Sequence, residues 1–167
     1  MTTAYVGLGA NLGDPIEQIV FARQQLSKHA QISDLKSSSL YVSSPVGYAD
    51  QADFINCVVR IETTLSPVEL LNYFKSIESE MGRIRNSANR NAARKIDLDL
   101  LLYEEYQISN DEITVPHPRM HQRLFVLEPL KELDPTVLIG SKGSVVETIE
   151  QGIEQSLFED QQLYKLG

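Results

Sequence analysis

At 167 residues, with 42% hydrophobic content and a net charge of −8, the chain fits one globular domain, residues 1–167, large enough to bury a core. The acidic balance excludes a broad nucleic-acid surface, which needs an extended basic patch, and no apolar run is long enough to span a bilayer. The opening Met1-Thr2-Thr3-Ala4-Tyr5 lacks the basic start and apolar stretch of a signal peptide, so a cytoplasmic protein is expected, and the single cysteine, Cys57, excludes an internal disulfide.

In chain order, the stretch from Thr3 to Pro15 opens as an apolar strand ending in glycines. Asp14 before Pro15 has the chemistry of an N-cap and first helical residue, which predicts a helix from Pro15 to about Lys28. Gly7, Gly9 and Gly13 are spaced GxGxxxG rather than GxGxxG, and the helix starts after the last of them, which fits neither a dinucleotide site nor a P-loop. They suggest instead a turn that needs positive φ or close approach of another backbone. Ile32 to Val42 is expected as one strand, followed by a long loop from Ser43 to Asp53. In the next strand, Phe54 to Glu62, alternation puts Ile55, Cys57, Val59 and Ile61 in the core and turns Phe54, Asn56, Val58, Arg60 and Glu62 outward. An outward Phe beside an outward Asn offers a flat apolar face and an amide that donates and accepts, contacts suited to a flat heterocycle; a Phe packed under the loop is the structural alternative. Ser66-Pro67-Val68-Glu69 is a capping box opening a helix expected to close at Gly82.

The stretch Arg94-Lys95-Ile96-Asp97-Leu98-Asp99-Leu100-Leu101-Leu102 carries the clearest chemistry. On a strand, Asp97 and Asp99 share one face while Ile96, Leu98, Leu100 and Leu102 share the other. Two carboxylates about 6 to 7 Å apart repel unless a cation sits between them, and an oxygen-only donor set of this kind suits Mg²⁺ with substrate phosphates. Arg83, Arg85, Arg90, Arg94 and Lys95 crowd in just before them, and guanidinium groups bind phosphate oxygens bidentately, so a polyphosphate substrate is one reading. A solvated loop whose arginines pair with the two aspartates is the other. Further on, Pro116-His117-Pro118 holds a histidine on a stiff backbone, a way to fix a side chain against a ligand, though a lone histidine is more often structural. A last helix is expected from Val145 to Gln155; beyond it the final third shows no chemical motif.

Taken together, GLGANLGD, SSPVGYADQADFIN, GRIRNSANRNAARKIDLDLLLY and VPHPRMHQRLFVLEPL, in that order over most of residues 5–130, resemble the 6-hydroxymethyl-7,8-dihydropterin pyrophosphokinases, which transfer a pyrophosphoryl group from ATP to the pterin's hydroxymethyl oxygen. The resemblance implies an α+β domain with a ferredoxin-like core, a mostly antiparallel sheet with helices packed on its faces, acting as a monomer on small molecules. It implies that Asp97 and Asp99 hold two Mg²⁺ ions at the phosphates of the co-substrate ATP, and that Asp97 is placed to take the hydroxyl proton. Phe54 and Phe125 would sandwich the pterin, Asn56 would bond its edge, and Ser43 and Val46 would line that pocket. Arg83 and Arg94 would close on the triphosphate from a lid, His117 and Arg123 would meet phosphates, and Glu78, Arg85, Ile96 and Leu100 would lie at the ATP site. The chain departs from the family's usual Trp-Gly-Pro between the lid arginines, having Asn91-Ala92-Ala93 there and no tryptophan. Two rival functions are a ferredoxin-like RNA-binding module and a catalytically silent relative that binds nucleotide or pterin; acidity opposes the first and the intact aspartate pair the second.

Overall fold

Alternating side chains make Thr2–Ala10 a strand, β1, and local capping starts the helix α1 (Pro15–Lys28), where the Asp14 carboxylate accepts the Glu17 N–H at 3.2 Å and Pro15 occupies the first turn. The computed structural model describes residues 1–11, 13–44, 53–88 and 96–166, with 83–88 described by backbone alone. After α1 come β2 (Ile32–Ser37), β3 (Tyr41–Ser43), β4 (Phe54–Thr63), α2 (Pro67–Ala88) and β5 (Asp97–Tyr103). A small hairpin of β6 (Ile108–Ser109) and β7 (Thr114–Val115) precedes α3 (Leu124–Leu133), α4 (Val145–Glu154) and a last strand, β8 (Leu163–Lys165).

The described strands form a six-stranded sheet in the order β5-β1-β4-β3-β8, with β2 also on β4, and every pairing is antiparallel. Within it, β1-α1-β2-β4-α2-β5 gives two interlocked βαβ units, the ferredoxin-like arrangement expected. One sheet face packs Val6, Leu8, Cys57, Val59, Leu98 and Leu100 against Ile19, Leu26, Leu70 and Phe74 of α1 and α2. The other packs Tyr5, Val58, Leu101 and Leu102 against Leu127 and Leu130 of α3 and Val145 and Ile149 of α4. The molecule is therefore α+β with helices on both faces.

Several local expectations change. The strand expected over Ile32 to Val42 is two strands, because Ser38 enters the ladder sideways: its hydroxyl accepts the Val58 N–H at 3.0 Å while its own N–H donates to the Val58 carbonyl at 2.9 Å. Helix α2 does not stop at Gly82 but continues to Ala88, since Gly82 keeps a negative φ and nothing there turns the chain away. The outward face of β4 is covered at its centre, where Val58 is fully buried and Asn56 is 5% exposed because α3, an element not assigned from the sequence, lies over it, while Arg60 and Glu62 stay half-buried. Leu102 also changes sides. Pairing runs Val6 to Leu100 and then Tyr5 to Leu102, so a bulge at Leu101 sends Leu101 and Leu102 into the α3/α4 core and returns Tyr103 to the other, where its hydroxyl donates to the Leu65 carbonyl at 2.6 Å. Gly7 and Gly9 are strand residues within β1; only Gly13 takes the positive φ of a turn, at 73°.

Candidate active site

The strand glycines make the site. On the face of β1 turned toward α3, Tyr5 is covered, but the next two positions on that face, Gly7 and Gly9, have no side chains to fill the sheet surface. Gly9 pairs with Asp97 of β5 on one side and Asn56 of β4 on the other, while Gly7 lies between Asp99 and Val58. The aspartates and Asn56 thus face each other across two strand spacings, about 10 Å, of bare backbone. Over this floor opens a cleft of about 560 Å³. A methyl group on Gly9 would come within 3.0 Å of the Asn56 amide nitrogen, so the glycine keeps that amide free to point across the floor.

The walls bring together residues from distant parts of the chain. Ser43 ends β3, Phe54 begins β4, and Arg123 and Phe125 sit at the start of α3; all line the cleft with Asn56, Asp97 and Asp99. The Ser43 hydroxyl donates to the Asn56 Oδ1 at 2.8 Å, which fixes the amide and leaves the Nδ2 hydrogens for a ligand acceptor. The Arg123 guanidinium lies 5.6 Å from the centre of the Phe125 ring, a cation–π distance that ties the two side chains together.

His117 lies beside this group rather than in its lining. Its backbone N–H donates to the Leu101 carbonyl at 2.9 Å, and its Nδ1 accepts the Arg119 N–H at 3.1 Å, so the neutral ring carries its proton on Nε2. Burial pushes the imidazole below its ordinary value; the Asp99 carboxylate opposes this and the Arg123 and Arg119 guanidinium groups reinforce it. Glu78 acts from the opposite layer: its carboxylate accepts the N–H of Leu98, the residue between the two aspartates, at 2.9 Å. Ile96 and Leu100 are buried in the α1/α2 core, on the sheet face away from the cleft, so their side chains do not reach it. The side chains of Arg83 and Arg85, on the last turns of α2, lie outside the described residues, as do Val46, Arg90 and Arg94 entirely. The cleft also includes Arg119 and Gln122, and Gln161, Gln162 and Leu163 of the C-terminal segment, which the sequence analysis did not single out. Arg119 stands inside the Pro-His-Pro-Arg block and was within reach of a sequence argument; the glutamines carry no local signal.

The model of the 7,8-dihydro-6-hydroxymethylpterin-pyrophosphokinase (HPPK) family matches residues 5–135. The chain belongs to the HPPK family. It is 39% identical over 167 residues to the 2-amino-4-hydroxy-6-hydroxymethyldihydropteridine pyrophosphokinase of Haemophilus influenzae, covering 100% of this chain and 99% of that one. It is 43% identical over 150 residues to the enzyme of the same name from Bacillus subtilis, covering 90% and 87%. The wild-type HPPK-DHPS of Plasmodium falciparum shares the fold with a TM-score of 0.70 at 13% identity; the match covers 96% of this chain and 48% of that one, so this chain spans about half its length.

An HPPK cleft must hold a triphosphate, and the donor chemistry fits magnesium. Asp97 and Asp99 supply carboxylate oxygens on one strand face, and among the described residues no group of three or more His, Cys, Asp or Glu is arranged to hold a metal ion. Two carboxylates leave most coordination positions to water and phosphate oxygens, the pattern Mg²⁺ prefers and structural zinc does not. No described helix is long and apolar enough to cross a membrane.

Proposed function

We propose that this cleft binds 6-hydroxymethyl-7,8-dihydropterin beside the triphosphate of ATP and transfers the pyrophosphoryl group to the pterin's hydroxymethyl oxygen, releasing AMP, as a step of folate biosynthesis. The observation that carries the reading is the pairing, across a side-chain-free floor, of an acidic pair on β5 with a ring-binding set on β3, β4 and α3. Phe54 and Phe125 take the two faces of the pterin, and Asn56, held by Ser43, donates to its edge. Val46 belongs to the same pocket by resemblance. This orientation aims the hydroxymethyl group along the floor toward Asp97 and Asp99. The hydroxymethyl oxygen attacks the β-phosphorus, the bond from that phosphorus to the α-β bridging oxygen breaks, and its electron pair leaves on the α-phosphate of AMP. Asp97 takes the hydroxyl proton.

Asp97 and Asp99 would hold Mg²⁺, two ions by resemblance, which would supply charge neutralisation in the loose transition state of such a transfer. Arg119 and Arg123 bind phosphate oxygens on the α3 side, and His117 donates its Nε2–H there while neutral. Glu78 acts behind the strand by fixing the Leu98 N–H. By resemblance, Arg83, Arg85 and Arg94 complete the cationic set around the triphosphate. By resemblance the enzyme works as a monomer on these two small molecules.

Product analysis tests this directly. Purified protein with ATP, Mg²⁺ and the pterin should yield AMP in a pterin-dependent reaction, separable from ADP by chromatography. ADP would mean transfer of a single phosphate and contradict the proposed geometry, while bound ATP with no product would favour the silent relative.

A further inference from the structure

Helix α3 begins at the cleft and carries two of its walls, yet its own N-cap position does not cap it. Arg123 occupies that position and makes no side-chain capping bond. The missing acceptor comes from the far end of the chain. Gln161 accepts the N–H of Leu124, the first residue of α3, on Oε1 at 2.9 Å. Its Nε2 donates to the carbonyl of Gln122 at 2.7 Å, and more distantly to the Leu157 carbonyl at 3.4 Å. One amide therefore bridges both sides of Arg123, and the residue after Leu124 is Phe125.

Gln161 is held firmly enough to act as a brace. Its backbone N–H donates to the Phe158 carbonyl at 2.9 Å, and Phe158 is buried against α4 so closely that a Cβ on Gly152 would run into its ring. On its other side the segment joins the sheet: Leu163 pairs with Ser43, and the Ser44 N–H donates to the Gln162 carbonyl at 3.3 Å. The segment thus spans the cleft from the Phe125 wall to the Ser43 wall. It lies beyond residues 5–135, the part of the chain that the HPPK model matches.

We infer that Gln161 is a positioning residue for substrate binding: by capping α3 from the C-terminal segment it sets the direction in which Phe125 and Arg123 enter the cleft. The inference rests on the reading of Phe125 as a pterin-stacking residue. An amide in this place satisfies a helix-end donor and the preceding carbonyl together, which a shorter or apolar side chain cannot.

The test is a binding cycle, following quenching of pterin fluorescence in the presence of Mg²⁺ and a non-hydrolysable ATP analogue. Gln161→Met, which keeps the bulk and removes all three bonds of the amide, should raise the pterin Kd about fivefold, the size of one lost helix cap. Gln161→Glu retains the acceptor for Leu124 but sets a carboxylate oxygen against the Gln122 carbonyl, so its Kd should lie between those of the parent and Gln161→Met. In a Phe125→Ala background, Gln161→Met should add nothing, because the side chain it aims is gone. Glu147→Ala serves as a stability control: it breaks the capping box of α4, away from the cleft, and should lower the unfolding midpoint without changing the pterin Kd. If Phe125→Ala weakens pterin binding but Gln161→Met does not, or if the two losses add fully, positioning by Gln161 is overturned while the reading of Phe125 stands. If Phe125→Ala leaves the Kd unchanged, the stacking reading fails and the inference fails with it.

Discussion

Replacing Asp97 or Asp99 with alanine is expected to reduce turnover by about 3 to 5 kcal/mol of transition-state stabilisation, a loss of two to three orders of magnitude or more, without loss of the fold. Asp97 is exposed and Asp99 half-buried at the mouth of the cleft, so neither side chain contributes to a core. Two carboxylates sharing a strand face repel each other in the absence of a cation, and removing one relieves that repulsion. The unfolding midpoint of Asp99→Ala should therefore equal or exceed that of the parent in metal-free buffer. Added Mg²⁺ with an ATP analogue should raise the parent's midpoint by mass action and move the variants much less. Steady-state rates and thermal melts measure both effects; a variant that keeps near-parental turnover would remove the aspartates from the mechanism.

Asn56→Ala is expected to weaken pterin binding by about 1 to 3 kcal/mol, roughly five- to 150-fold in KM for the pterin, while ATP binding changes little. At 5% exposure Asn56 is almost fully enclosed, and the Ser43 hydroxyl already satisfies its carbonyl oxygen, so its remaining capacity is the Nδ2 donor aimed at the cleft. Alanine removes that donor and strips the Ser43 hydroxyl of its acceptor. Asn56→Asp should not rescue binding, because a carboxylate cannot donate to the same ring atom and would stand across the glycine floor from Asp97. Equal losses for ATP and pterin, measured by separate titrations, would mean that Asn56 supports the cleft as a whole rather than reading the ring.

The features legible in the sequence were those settled within a few residues. Asp14 with Pro15, and Ser66 with Glu69, fixed two helix starts, because a cap is made between neighbours. The strand alternation placed Asp97 and Asp99 on one face, and only the bulge at Leu101, created by pairing with Tyr5 and Val6, displaced Leu102 from its expected side. What escaped depended on distant partners. Ser38 breaks its strand by bonding to Val58, and α3, with Pro129 inside it, buries the centre of the β4 face that alternation alone marked as outward.

The candidate site divides along the same line. Ser43, Phe54, Asn56, Asp97, Asp99, Arg123 and Phe125 line one cleft, whereas Ile96 and Leu100 turn their side chains into the opposite core. The glycines of β1 looked like turn residues because their spacing says nothing about which face is left uncovered. Gln161 was invisible for a different reason: its contact with Leu124 is made across the fold, and a glutamine near a chain end carries no pattern of its own.

The most direct test is whether Asp97 and Asp99 hold a metal beside the pterin's hydroxymethyl group. With Mn²⁺ in place of Mg²⁺, a non-hydrolysable ATP analogue and the pterin bound, NMR relaxation of the hydroxymethyl protons reports that proximity. Strong paramagnetic relaxation in the parent protein, lost in Asp97→Ala and Asp99→Ala at saturating ligand, is the predicted result. Relaxation that is absent in the parent, or unchanged by either substitution, would contradict the placement of acidic pair, phosphates and pterin over one floor.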